Sequence, residues 1–158
     1  MPSTTNPFPT DPDRRAIWEM LVPRDIDAFI AADWTMVQGD FIAPGFLGID
    51  AGRSGNPDGW RIGFPTLDAY REAWLRQAQA AAAVAYAEDL RTAIFRATDL
   101  ADIEVIGDIA VAHKKFDGAI AKADGTQDLL NWQTMYFARR LDGVWRLTGF
   151  VGYMPYMR

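Results

Sequence analysis

The sequence has no cysteine, one histidine and no long apolar run, and each shortage excludes a class of protein. Without cysteine the chain cannot use a thiol nucleophile, an iron–sulfur cluster or a zinc ribbon, and one histidine cannot build a multi-histidine metal site. No apolar run approaches the roughly 20 residues that a membrane-spanning helix needs. The N-terminal residues show no charged-then-apolar signal pattern, so we expect a cytoplasmic protein.

Basic residues are also scarce. Sixteen lysines and arginines face 21 acidic residues, which gives a net charge of −5. Because DNA and RNA are bound mainly by basic side chains that neutralise phosphates, this balance disfavours nucleic acid as a partner. The glycines between positions 39 and 63 lack the spacing of a dinucleotide-binding or phosphate-binding loop. We therefore expect no cofactor, no metal, no nucleic acid and no membrane partner.

The composition that is present is that of one globular domain, with 158 residues of which 49% are hydrophobic and 23% charged. Residues 1–10 carry three prolines and no periodicity, which is typical of a disordered or draped tail. We predict a tail over residues 1–11 and a single domain over residues 12–158.

Helical signals dominate the first half of the chain. Asp11 can cap a helix that has Pro12 in its first turn, and Pro23 breaks or restarts that helix. A second helix is predicted over residues 25–34, and a third, capped by Thr66, over residues 67–83. Between these two, residues 39–65 hold seven glycines and three prolines, with one short strand over 46–50. A loop of this length is expected to form a pocket wall.

The second half changes to the alternating periodicity of strands. Strands are predicted over residues 92–98, 103–106, 109–116, 130–141 and 144–154, with Asp-Gly turns at 117–118, 124–125 and 142–143. Helices that precede strands in this way indicate an α+β fold. We predict a cone-shaped barrel of a strongly curved antiparallel (mixed) sheet, with three N-terminal helices packed across it and a mouth that holds a small ligand.

Four stretches of the chain resemble elements of one superfamily. The second and third helices correspond to residues 25–33 and 66–74, a sheet strand to 107–113, and the terminal hairpin to 136–147. The superfamily is the nuclear-transport-factor-two-like superfamily, which includes SnoaL-like cyclases, ketosteroid isomerases, scytalone dehydratase and limonene epoxide hydrolase. The resemblance covers roughly residues 12–154 and implies the cone fold and a homodimer formed through the open sheet face. The superfamily hosts enzymes, binding modules and assembly domains, so its fold alone does not define a function.

Comparison with the isomerase members implies that Asp50 stands in the place of their general base. The chain lacks their two oxyanion donors, because the first helix has no tyrosine and the late strand offers Tyr136 but no acid. Enolate chemistry depends on such donors, which argues against ketosteroid isomerisation. The dehydratase members use a pair of histidines, whereas this chain has His113 alone. An Asp–Arg–Asp relay like that of the epoxide hydrolases has no motif to support it here.

Asp50 and His113 are the predicted catalytic residues, since a carboxylate in an apolar mouth and an imidazole on a cavity face both suit proton transfer near neutral pH. Asp50 is equally compatible with a turn beside Gly52. The alternation of strand 109–116 leaves open which face lines the pocket, and that choice decides between His113 and its neighbours Ala112 and Lys114. Residues 114 and 115 are predicted to form a solvated basic pair.

Six aromatic residues are predicted to contact a ligand: Trp34, Trp60, Trp74, Trp132, Tyr136 and Tyr153. Trp132 and Tyr136 share one strand phase and therefore face the same side of the sheet. The resulting hypothesis is a SnoaL-like protein that binds a small apolar molecule in the cone, as a cofactor-free isomerase, cyclase or dehydratase. The alternative is a non-catalytic ligand-binding module or a dimeric assembly module of the same fold.

Overall fold

A computed structural model describes residues 4–156, and within them helices come first and long strands follow. The helices are α1 (Pro12–Glu19), α2 (Asp25–Ala31), α3 (Leu67–Ala82) and α4 (Leu90–Ala97). The strands are β1 (Leu47–Asp50), β2 (Arg61–Phe64), β3 (Thr98–Ile106), β4 (Ile109–Ala121), β5 (Gln127–Leu141) and β6 (Val144–Met154). Short 3₁₀ turns occupy Trp34–Met36, Gln38–Asp40 and Pro57–Gly59.

All six strands form one mixed sheet in the order β2-β1-β6-β5-β4-β3. Every neighbouring pair is antiparallel except β1 and β6, which run parallel. Register shifts in β3 and at two places along β5 mark bulges, which bend strands and increase their twist. The predicted cone fold is confirmed, although the sheet is open: within the described residues its edge strands β2 and β3 do not pair.

Local sequence signals correctly predicted where two helices begin and where one hairpin turns. Asp11 caps α1 by accepting a hydrogen bond from the Arg14 backbone N–H, and Thr66 caps α3 in the same way. The turn between β5 and β6 has left-handed backbone at both central residues, with φ of 52° at Asp142 and 78° at Gly143. This is the type I′ geometry that matches the right-handed twist of hairpin strands, so the predicted hairpin is confirmed.

Pro23 does not break the first helix. The chain continues from α1 through a π-helical segment, Met20–Arg24, directly into α2. A proline inside a helix lacks an N–H and clashes with the preceding turn, and a local widening of the helix accommodates both effects. As a result α1 and α2 follow one another along the chain with no loop between them.

The predicted strand over residues 92–98 is wrong, because this segment lies mostly in helix α4. Asp89 caps α4 by accepting hydrogen bonds from the backbone and the side chain of Thr92. Ala93, Ile94 and Ala97 are buried at the three- and four-residue spacing of a helix. The β-branched and aromatic residues of this short segment favour a strand, but the Asp89 cap and the burial of one helix face stabilise a helix instead.

The predicted turn at residues 117–118 is also wrong, since β4 continues without a break to Ala121. Gly118 serves packing rather than a turn. A Cβ built on it would lie 2.7 Å from the Cβ of Ala97, well inside van der Waals contact. The absent side chain lets α4 approach the sheet closely.

We expect Gly118→Ala to lower the free energy of unfolding by about 1–3 kcal/mol, as overpacking of a close contact does. Gly39→Ala is the matched control, because a Cβ there meets nothing within 4 Å. Urea denaturation of both variants measures the difference. Equal stabilities would contradict the close approach of α4 to β4.

The N-terminal residues that the structure describes lie along α1. The Asn6 side chain donates to the Arg15 carbonyl and to the Glu19 carboxylate, at 3.1 and 3.0 Å. Phe8 packs, partly buried, against the main core. Residues 1–3 of the predicted tail lie outside the described residues.

Two apolar clusters form the core. The larger one fills the space between the α1–α2 helix, α4 and the concave face of the sheet, and includes Trp18, Phe95, Ile103 and Leu147. The smaller one lies where α2 meets α3, around Trp34, Trp74 and Ala78. None of the described helices is both long and apolar enough to cross a membrane.

Candidate functional site

A cavity of about 150 Å³ opens between helices α2, α3 and α4 and the concave face of strands β4, β5 and β6. Its lining is mainly aromatic and aliphatic. The lining residues are Asp25, Ile26, Phe29, Tyr70, Trp74, Gln77, Ile94, Lys114, Phe116, Leu130, Trp132, Thr134, Tyr136, Phe150, Gly152 and Tyr153.

Aromatic rings form most of the walls and contact one another. Trp132 packs on Phe116 with ring centroids 4.7 Å apart and on Tyr153 at 5.6 Å. Phe150 meets Tyr70 at 4.9 Å and Tyr136 at 5.9 Å. Offset and edge contacts of this kind stabilise aromatic pairs beyond the area they bury, which keeps the walls in place.

One fully buried lysine lies among these rings. The alternation of β4 turns Ala112, Lys114 and Phe116 inward, and the Lys114 side chain is only 1% exposed. Its Nζ donates to the Leu21 carbonyl and, at 3.0 Å, to Oδ2 of Asp25. Buried charges need such partners because desolvation of an unpaired charge costs several kcal/mol.

The π-helical segment explains why both partners point at the lysine. At the start of α2 the backbone N–H of Asp25 donates to the Val22 carbonyl, three residues back, rather than to the Leu21 carbonyl, four residues back. The Leu21 carbonyl is therefore free of that bond and accepts from Lys114. Pro23 lies at the centre of the segment, and because it has no N–H the Glu19 carbonyl, four residues back, lacks its usual helical donor.

Two tyrosine hydroxyls complete the polar part of the cavity. Within residues 4–156 neither the Tyr70 nor the Tyr136 hydroxyl has a hydrogen-bond partner. Burial raises the pKa of Tyr136 well above its ordinary value, and the negative charge of Asp25 adds to this. Burial likewise raises the pKa of Tyr70, with smaller contributions from Tyr136 and Asp25. The two phenols therefore stay protonated at neutral pH and act as neutral donors or acceptors.

The predicted ligand-contacting residues divide into two groups. Trp74, Trp132, Tyr136 and Tyr153 line the cavity, and Trp132 and Tyr136 face the same side as their strand phase predicted. Trp34 and Trp60 lie outside the lining. Trp34 is buried behind Trp74, with ring centroids 5.2 Å apart.

Trp60 belongs to the glycine-rich segment, where its indole N–H donates to the Ser54 carbonyl at 2.9 Å. Within the described chain no residue of the 39–65 segment is part of the cavity lining, contrary to the expectation that this loop forms a pocket wall. The segment instead contacts residues of the lining: the Arg53 guanidinium lies 5.5 Å from the centre of the Trp132 ring, and Phe46 and Phe64 pack against Tyr70 and Phe150.

Asp50 lies at the end of β1, outside the cavity lining. Its Oδ1 accepts from the Gly52 backbone N–H at 2.8 Å, and its Oδ2 lies 3.3 Å from the guanidinium of Arg61, the residue opposite it on β2. These contacts are those of a turn-forming aspartate with a cross-strand ion pair.

His113 points to the convex face of the sheet, because Ala112 and Lys114 occupy the concave one. Its Nε2 lies 2.6 Å from Oε1 of Gln133. The structure does not bring His113 and Asp50 together, and neither lines the cavity. Their catalytic role stays a prediction that the geometry of the cavity does not support.

Lys114 is the site residue that sequence reasoning missed, since it was assigned to a solvated basic pair. A signal for it was present in the strand. His113, Lys115 and Asp117 load one phase of β4 with polar residues, whereas Lys114 shares its phase with Ala112 and other apolar residues. The face with fewer charges is the one expected to be buried.

The cavity lining offers few groups that could bind a metal ion. Asp25 and Lys114 are the charged residues of the lining. Among residues 4–156, no three acidic or histidine side chains lie close enough together to hold a metal ion.

No protein-family model matches the sequence, and no curated protein is significantly similar to it. Solved structures are similar in fold. An NTF2-like protein of unknown function from Pseudomonas putida superposes with a TM-score of 0.56 at 16% identity, covering 89% of this chain and 85% of that one. An NTF2-like superfamily protein from Salmonella enterica serovar Typhimurium also gives 0.56 at 16% identity, with 89% of each chain covered.

An NTF2-like protein with a cystatin-like fold from Novosphingobium aromaticivorans gives a TM-score of 0.52 at 16% identity, over 89% of this chain and 80% of that one. The chain therefore has the NTF2-like fold that its sequence resemblance implied. Identities this low establish the fold alone, so the chemistry has to be argued from the residues of the cavity.

The cavity phenols generate a prediction at alkaline pH. Their pKa values lie above 10 in the folded state, so above pH 10 the unfolded chain binds fewer protons than the folded one and stability falls as pH rises. Tyr70→Phe and Tyr136→Phe remove this effect, and each is expected to move the alkaline unfolding midpoint to higher pH. Absorbance at 295 nm and circular dichroism follow ionisation and unfolding together. Ionisation of both phenols well before unfolding would contradict their burial.

Proposed function

We propose that the protein binds a small, largely apolar molecule with a ring in the cavity between its helices and its sheet. The observation that carries this proposal is an open cavity of about 150 Å³ whose walls are mainly aromatic. A cavity of about that volume holds a benzene-sized molecule in other proteins. Pockets lined by apolar and aromatic side chains with a few convergent polar groups are the usual form of small-molecule sites.

Binding is favoured over proton-transfer catalysis. The two residues predicted to transfer protons, Asp50 and His113, lie outside the lining. The charged groups that do line the cavity, Asp25 and Lys114, are already bonded to each other. The isomerase, cyclase and dehydratase activities that the fold resemblance implied therefore have less support than ligand binding.

The test measures binding of a simple aromatic probe, first to the unchanged protein and then to a variant whose cavity is filled by a larger side chain. Ethylbenzene is expected to shift the backbone amide signals of cavity residues and the indole N–H signals of Trp74 and Trp132 in ¹H–¹⁵N spectra. Thr134→Trp places an indole in the cavity and is expected to weaken binding at least tenfold, because the space for the probe is lost.

Thr148→Trp is the matched control, since Thr148 lies on β6 away from the lining and bonds to the Phe137 carbonyl. This variant should bind ethylbenzene like the unchanged protein. Undiminished binding by a folded Thr134→Trp variant would place the probe elsewhere and remove the proposal.

A second proposal concerns assembly: we infer that the convex face of the sheet pairs with a second copy of the chain. Exposed apolar side chains cluster there by cross-strand register. Ile106 is opposite Ile109, and Val111 is opposite Phe137. Ile106, Ile109 and Phe137 are 68%, 55% and 40% exposed. Contiguous apolar surface of this kind favours a protein interface.

A charge at the centre of this face tests the dimer. Phe137→Asp is expected to convert a dimer to a monomer in sedimentation and light-scattering measurements, since an unpaired carboxylate would be buried. Ile62→Asp serves as the control, because Ile62 is 61% exposed on β2 at the far edge of the sheet. A monomeric unchanged protein at micromolar concentration would exclude this proposal.

A further inference from the structure

We propose that the Lys114–Asp25 pair makes the cavity selective for uncharged ring compounds that carry an oxygen acceptor, such as a ketone, over their carboxylate, ammonium and hydrocarbon analogues. This inference rests on the proposed ligand binding and specifies its chemistry. Its basis is the placement of one ammonium and one carboxylate, bonded to each other, in the lining of a largely apolar cavity.

The first step is the charge balance of the lining. Lys114 and Asp25 are its charged residues, and their Nζ and Oδ2 atoms are 3.0 Å apart, so the cavity has no net charge. A ligand carboxylate would give up its water and would then compete with Asp25 for a single ammonium. A ligand ammonium would meet the like charge of Lys114. An uncharged ligand incurs neither penalty.

The second step is the hydrogen-bonding capacity that the pair leaves over. An ammonium group has three donors, and Lys114 uses two, toward Leu21 and Asp25, among the described residues. The lysine lines the cavity, with its Nζ 5.0 Å from the centre of the Phe116 ring. One donor therefore remains for a ligand oxygen beside an aromatic surface.

The third step concerns the neighbouring hydroxyls. Within residues 4–156 no hydrogen bond satisfies the side chains of Tyr70, Thr134 or Tyr136, all of which line the cavity. Each hydroxyl can rotate to donate one hydrogen bond. Together with Lys114 the hydroxyls therefore offer several donors to an acceptor oxygen in the ligand.

The experiment uses four probes of nearly equal shape: acetophenone, ethylbenzene, benzoate and 1-phenylethylammonium. Affinities are measured at pH 7 by titration in ¹H–¹⁵N spectra. We expect the unchanged protein to bind acetophenone at least tenfold more tightly than each of the other three, because a hydrogen bond to a charged donor is gained without a desolvated charge. Tighter binding of benzoate, or equal affinities for acetophenone and ethylbenzene, would overturn the proposal.

Asp25→Asn provides a sharper test, because it leaves the lysine uncompensated while it preserves side-chain shape. We expect this variant to prefer benzoate to acetophenone by about tenfold, which reverses the original order. Benzoate should also raise its thermal unfolding midpoint more than acetophenone does. An unchanged order of affinities in folded Asp25→Asn protein would contradict the role of the pair.

Two further variants separate selectivity from structure. Asp27→Asn is the matched control, since Asp27 lies on the same helix, pairs with Arg91 at 2.7 Å and does not line the cavity. It should keep the original preference for acetophenone. Lys114→Met should lose most of the preference for acetophenone over ethylbenzene, because the charged donor is gone and only the hydroxyls remain. If no probe bound to any variant or to the unchanged protein, the proposed binding function itself would fail, whereas binding without these preferences would overturn only the selectivity.

Discussion

The contact of the Lys114 ammonium with Leu21 and Asp25 joins the α1–α2 helix to strand β4. The lysine is fully buried whereas the Asp25 side chain is 32% exposed, so the contact supplies the partners that a buried ammonium needs. Leu21 lies in the π-helical segment and Asp25 directly follows it. The irregular part of the helix therefore holds both groups that bind the buried lysine of β4. The neutrality of the cavity lining depends on this contact, because Lys114 and Asp25 are its charged residues.

The cavity stays open because aromatic contacts hold the Trp74 ring of its wall in place. Trp34, which the sequence predicted to touch ligand, instead packs edge-on against Trp74 at 5.2 Å. Phe29 meets the same ring at 5.9 Å, also edge-on. An aromatic side chain has only two side-chain torsions, so a ring held on two sides cannot fold into the space beside it. The small cluster between α2 and α3 thus preserves the volume that the larger core leaves unfilled.

The fold was largely predictable because its strongest signals are local. The left-handed turn at Asp142 and Gly143, the caps at Asp11 and Thr66 and the long alternating strands each depend on a few neighbouring residues. Errors arose where a distant contact decides the outcome. The Asp-Gly pair at 117–118 has the composition of a turn, yet its glycine is explained by helix α4 lying against it. Nothing in the local sequence announces that approach.

The candidate site was less predictable because it depends on one binary choice. Strand β4 offers either His113 or Lys114 to the cavity, and alternation alone treats the two faces alike. The choice follows from the whole strand, since only the Lys114 face is otherwise apolar. Cavity aromatic residues were easier to predict: any large ring on the same phase as Tyr136 in β5 had to point inward, as Trp132 does.

Asp50 shows why the position of a residue in a fold does not define its role. The resemblance to the isomerases predicted a general base at this position, yet the Asp50 oxygens contact the Gly52 amide and Arg61. The carboxylate that reaches the cavity comes instead from the start of α2, and it faces an ammonium on β4. Because these two charges belong to different elements, any molecule that enters the cavity must either fit beside the neutral pair or separate it. Separation would break a contact between helix and sheet and would leave a buried charge without its partner. Binding of a ligand that leaves the ion pair intact therefore costs less free energy.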